Sequence, residues 1–146
     1  MIPEFDERGE LPPGIHHASW DQIVTRYATN TRRGELLDGL LQALRSLRAA
    51  GCTLAYLDGS FVSVKEHPGD FDACWESAGV DAARLDGELL EFSNARAAQK
   101  ARYGGELFPV EASAEPAGTT FLDYFQRDRD SGAPKGIISI ALGELP

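Results

Sequence analysis

The chain has 146 residues, 42% hydrophobic and 25% charged, with a formal net charge of −9. That length supports one domain with one sizeable core. No run of about 18 apolar residues is present, which excludes a membrane-spanning helix. The acidic, polar residues 1–10 do not have the form of a signal peptide. An acidic surface repels duplex DNA but leaves open a small nucleotide, whose phosphates metal ions can neutralise. The two cysteines, Cys52 and Cys74, fit reduced thiols in a cytoplasmic protein.

In chain order, residues 1–18 read as an extended lead-in, punctuated by Pro12-Pro13-Gly14, and residues 19–146 as a single domain. Ser19 and Gln22 have capping-box spacing, which predicts a short helix from about residue 20 to 27. Leu36, Leu37, Leu40, Leu41, Leu44 and Leu47 form one wide stripe on a second helix of about 20 residues, ending at Gly51. Arg32 and Arg33, with Arg26 nearby, read as a solvated helix face. Residues 53–57 form an apolar strand that breaks at Asp58-Gly59-Ser60, and a short helical turn is expected over 61–66. Residues 71–75 are a second strand. Residues 80–102 look helical, with Leu85, Leu89, Phe92, Arg96 and Gln99 near one face, until Gly104-Gly105 stops them. A strand over 106–112, a short helix over 119–127 and a final strand over 136–142 complete the pattern. The expected fold is a mixed α/β or α+β domain, with a small mixed sheet of about four strands flanked by helices.

Chemistry is concentrated at Asp70-Phe71-Asp72. Side chains alternate along a strand, so the two aspartates share a face while Phe71 turns to the core. Carboxylates held so close repel one another, and a cation offsets the repulsion. Magnesium takes oxygen ligands, commonly one or two carboxylates plus substrate phosphates. Acid-x-acid pairs also occur at Glu4/Asp6, Asp86/Glu88 and Asp128/Asp130, so context has to distinguish this one. Only Asp70/Asp72 follows a Gly-Ser at the end of an apolar strand. Gly59 lets the backbone approach a ligand closely, and Ser60 opens a turn whose N–H groups and hydroxyl can receive phosphate oxygens.

Tyr56-Leu-Asp-Gly-Ser60, a nine-residue spacer and Asp70-Phe-Asp72 together resemble the signature of the nucleotidyltransferase superfamily with the DNA polymerase β-like fold. The wider chain, with Leu57-Asp-Gly-Ser-Phe61, Pro68-Gly-Asp-Phe-Asp72, Phe125-Gln-Arg-Asp-Arg129 and Pro134-Lys-Gly-Ile137, is similar to a small bacterial nucleotidyltransferase-like subgroup. The resemblance implies a polymerase-β-like fold and transfer of a nucleoside monophosphate from a nucleoside triphosphate. It implies two magnesium (or manganese) ions on Asp70, Asp72 and a third carboxylate, which is Glu106 by preference and Glu111 as substitute. Gly59 and Ser60, with Lys65 and Lys135 as point charges, would bind the nucleotide. A protein partner or an RNA end is the implied acceptor, since some minimal relatives belong to toxin–antitoxin pairs. Two positions depart from the pattern: Phe61-Val-Ser-Val64 delays the first basic residue to Lys65, and Gly69 rather than serine precedes Asp70. A nucleotidyltransferase-like binding module without catalysis, acting through a partner protein, is therefore the alternative.

Other signals carry less. His16 and His17 are adjacent, point apart and lack partners at metal-ligand spacing, so they read as surface residues. Asp128-Arg-Asp130-Ser-Gly132 lacks the glycine and glutamate of a calcium loop and reads as a turn. Trp20 and Trp75 read as core anchors.

Overall fold

The computed structural model describes residues 1–146. Its first helix, α1 (Trp20–Tyr27), is capped reciprocally: the Gln22 backbone N–H donates to Ser19 Oγ at 3.2 Å, and the Ser19 N–H to Gln22 Oε1 at 3.0 Å. The leucine stripe lies on α2 (Thr31–Ala49), where Leu36, Leu37, Leu40, Leu44 and Leu47 are all buried. Gly39 is the point of closest approach on this helix. A Cβ there would collide with the Tyr103 carbonyl, so only glycine lets α2 meet the end of α3 (Ser93–Tyr103).

The sheet has five strands. These are β1 (Gly14–His17), β2 (Leu54–Asp58), β3 (Phe71–Trp75), β4 (Gly105–Pro109) and β5 (Gly136–Ala141), in the order β1-β5-β2-β3-β4. β1/β5 and β3/β4 pair parallel, and β2 is antiparallel to both β3 and β5. The architecture is thus mixed α+β. One face of the sheet, with Ala55, Leu57, Phe71, Ala73 and Leu107, packs with α1 and α2 into the main core. On the other face Tyr56, Cys74, Phe108, Val110 and Ile137 form a smaller cluster, closed at one end by Phe125 of α4 (Phe121–Phe125). Both cysteines are free and buried, and Trp20 and Trp75 are buried as expected. No helix is long and apolar enough to cross a membrane.

Two expectations need correction. The fifth strand comes from the segment read as a lead-in: Gly14 to His17 pair residue for residue with Gly136 to Ser139, and Leu11 is fully buried. The strand is short and lies at the sheet edge, mostly exposed. It has no alternating apolar pattern, so only its pairing with β5 reveals it. Residues 80–102 are not one helix either. Short 3-10 turns occupy Ala82–Arg84 and Gly87–Leu90, and α3 begins only at Ser93. The Asp81 side chain accepts from the Ala83 N–H, the Asp86 backbone N–H donates to Ser46 Oγ, and the Asp86 carboxylate accepts from the Tyr103 phenol. A local aspartate side-chain bond such as that of Asp81 competes with helix continuation, and Asp86 has its backbone N–H spent outside the helix. Of the residues the spacing placed on one face, Leu89 and Gln99 are buried, Leu85 and Arg96 are half-buried, and Phe92 is exposed.

Candidate functional site

Register brings the acids together. Asp58, the last residue of β2, pairs with Asp72 of β3, and Asp72 pairs with Glu106 of β4. Directly opposed residues point to the same face, so three carboxylates form a row across three strands on the face away from α2. Asp70, two residues before Asp72, joins them. All four line a cavity of about 660 Å³, together with Gly59, Ser60, Lys65 and Lys135. Of the residues nominated from the sequence, only Glu111 lies elsewhere; it is exposed and accepts from Ser77 Oγ at 2.5 Å. Pro109 introduces no bulge that would shift parity. β4 keeps regular register with β3 through Pro109, which sits on an edge strand where its missing N–H is tolerated.

Gly59 is indispensable here on two grounds. Its φ of +83° lies in the left-handed region, and a Cβ would strike Asp72 Oδ2. The loop that follows is held from below. Arg33 is only 3% exposed and donates to the carbonyls of Phe61 at 2.7 Å and Ser63 at 3.2 Å, and also to that of Lys65. Tyr27 Oη donates to the Val62 carbonyl at 2.9 Å, and Ser63 Oγ to the Ser60 carbonyl at 2.6 Å. Arg33 therefore corrects the reading of Arg32-Arg33 as a solvated face. A guanidinium is rich in donors, and this buried one spends three hydrogen bonds on the backbone after Gly59-Ser60.

Burial dominates the electrostatics. Asp58 is 2% exposed, and burial pushes its carboxyl up to about 7; Lys135 and the Gly59 amide pull it down, while Asp72 and Glu10 push it further up. Asp72 is also held at about 7, by burial first and then by Asp70 and Glu106. Asp70 is raised by burial and by Glu106. The nearest cation to Asp58 is Lys135 Nζ, 3.6 Å from Oδ1. That gap is too long for a hydrogen bond, and Asp58 Oδ1 is a buried acceptor with no partner. Glu106 is better served: its Oε1 lies 2.9 Å from Lys100 Nζ and 3.3 Å from Arg96 Nη2. Arg96 reaches it from a left-handed turn at Asn94, Ala95 and Arg96, all with φ between 53° and 60°. Such a turn costs about 1–2 kcal/mol per residue.

No three histidine, cysteine or acidic side chains converge so as to hold a metal ion by themselves. The donor set, which is all carboxylate oxygen with one orphaned acceptor, fits a hard cation that brings further oxygen ligands with it, as magnesium does with phosphates.

Sequence reasoning missed Asp58, Arg96 and Lys100. Asp58 stands beside Gly59-Ser60 in an apolar run, and only its pairing with Asp72 marks it. The site and fold define an α+β protein with a buried acidic cavity at the end of a mixed sheet. The chain belongs to the family described as "Family of unknown function (DUF6932)", whose model matches residues 3–141. No curated protein and no solved structure matches it.

Proposed function

We propose that this chain is a nucleotidyltransferase with a polymerase-β-like fold, moving a nucleoside monophosphate from a nucleoside triphosphate to a hydroxyl on a protein or RNA acceptor. The observation that carries the reading is the shared cavity. Asp70 and Asp72 of the β3 segment and Glu106 of β4 lie on one face, beside Gly59-Ser60 at the end of β2. The Ser60 hydroxyl and the backbone at Gly59 hold the β- and γ-phosphates, with Lys65 as a point charge at the cavity wall. Asp70, Asp72 and Glu106 are the residues that would hold magnesium or manganese, which supplies charge neutralisation for the entering and leaving oxygens. The acceptor oxygen attacks the α-phosphorus, the bond to the bridging oxygen breaks, and pyrophosphate leaves. The acceptor proton passes to Glu106, or through it to water, once that carboxylate exchanges its Lys100 and Arg96 partners. A protein acceptor within a toxin–antitoxin pair is the form of this reading that the resemblance to minimal nucleotidyltransferases favours.

The test combines binding and turnover. Melting temperature should rise with a nucleoside triphosphate only when magnesium or manganese is present. Labelled triphosphate should modify an acceptor in whole-cell protein or RNA fractions. Asp70→Asn and Asp72→Asn should each abolish transfer with the fold intact. Transfer that survives both substitutions defeats the mechanism.

A second reading has its own support. The ion pairs that occupy Glu106, made by Arg96 and Lys100, and the lack of a basic residue between Ser60 and Lys65 suit a module that binds partners without catalysis. That reading gains if a partner protein still binds the doubly substituted chain while no fraction is ever labelled.

A further inference from the structure

Resting on the nucleotide reading, we propose that the aromatic end of the same cavity is a nucleobase subsite, with Tyr124 of α4 supplying the ring face on which the base stacks and Phe121 bracing it edge-on. Phe108 follows Glu106 by two residues on the same face of β4, so the aromatic end begins about 7 Å from the carboxylates. Phe121 stacks on Phe108 with centroids 3.8 Å apart and planes 5° from parallel. Tyr124 meets Phe121 edge-on at 6.4 Å. Phe108 and Phe125 are buried and serve as backing, whereas Phe121 and Tyr124 are half-buried and line the cavity.

The chemistry of the two ends selects the occupant. One end carries carboxylates, including the orphaned Asp58 Oδ1, which is nine-tenths buried and borders the cavity. The other end presents aromatic rings, with the Arg96 guanidinium 5.6 Å above Phe108. A lipid tail would bring no group for the acidic end, and an inorganic polyphosphate none for the rings. A nucleoside triphosphate supplies both, joined by a sugar that spans the gap. Stacking is tolerant of base identity because every base has a π-face. The subsite therefore separates nucleotides from inorganic phosphates and discriminates weakly among the four bases.

The experiment is titration calorimetry in magnesium with two probes, ATP and inorganic tripolyphosphate. The natural sequence should bind ATP about tenfold or more tightly than tripolyphosphate. Tyr124→Ala should collapse that ratio while leaving tripolyphosphate affinity unchanged, and Tyr124→Phe should restore it. Should Tyr124→Ala fail to fold, Tyr124→Leu removes the flat face and keeps the bulk. Equal affinity for the two probes in the unsubstituted protein, or a Tyr124 substitution that weakens both equally, overturns the base subsite while the phosphate site stands. Binding of neither probe overturns the nucleotide reading itself, and this inference with it.

Discussion

Asp58 is an acid kept from water without a hydrogen bond on one of its oxygens, and the chain bears a stability cost for it. Held at about 7 when folded and ordinarily near 3.8, it binds more protons in the folded than in the unfolded chain between those values. Stability therefore falls as pH rises through that window. Asp72, also held at about 7, acts with the same sign. The lowered acids Asp6, Glu91 and Asp128 act in the opposite sense, but solvent reaches all three, which are half-buried or exposed, and screens them. The ligand-free protein should thus show a higher urea midpoint at pH 5 than at pH 8, and Asp58→Asn should flatten the difference. Identical midpoints in the unsubstituted chain would contradict this account. Asp70 and Asp72 are legible in the sequence because strand alternation is local. Asp58 is not, because its partner lies 14 positions on and only β2–β3 register brings the two together.

Among the elements, the loop from Gly59 to Lys65 owes its shape to the helices beneath it. Arg33 lies in the first turn of α2 and spends its guanidinium on three loop carbonyls while lying 4.8 Å from the Phe61 ring centroid. Arg33→Met keeps the bulk and removes the donors. We expect a loss of about 3 kcal/mol in denaturant-measured stability, because buried carbonyls lose charged partners. We also expect weaker triphosphate binding as the loop loosens; a change within about 0.5 kcal/mol would mean water replaces the bonds without cost. Helices α1 and α2 were readable because their caps and stripe are properties of the segment itself. Residues 80–102 were not. The apolar spacing there is genuine, but Asp81, Asp86 and Gly87 divert the backbone into short turns, and the packing of Leu89 and Gln99 does not require a continuous helix.

At the scale of the whole molecule, the segment before α1 is part of the body. Leu11 has no exposed surface and belongs to the main core, and the Leu11 carbonyl accepts from the Gly136 N–H at 3.0 Å. Leu11→Ala should cost about 2–5 kcal/mol in urea unfolding, as a core cavity does, where a solvated tail would show almost nothing. The sheet order β1-β5-β2-β3-β4 has a temporal consequence as well. β5 is the last of these five strands to leave the ribosome, yet it belongs between the first two of them. Until it arrives, β2 shows a bare edge, β1 has nothing to pair with, and the hairpin-like unit of β2, β3 and β4 can already bring Asp58, Asp72 and Glu106 side by side. Lys135 emerges just ahead of β5. Glu106 already has Arg96 and Lys100 beside it, whereas Asp58 receives its nearest ammonium only with β5, so the newborn protein is most open to mispairing, and Asp58 most in want of a counter-ion, in the same interval.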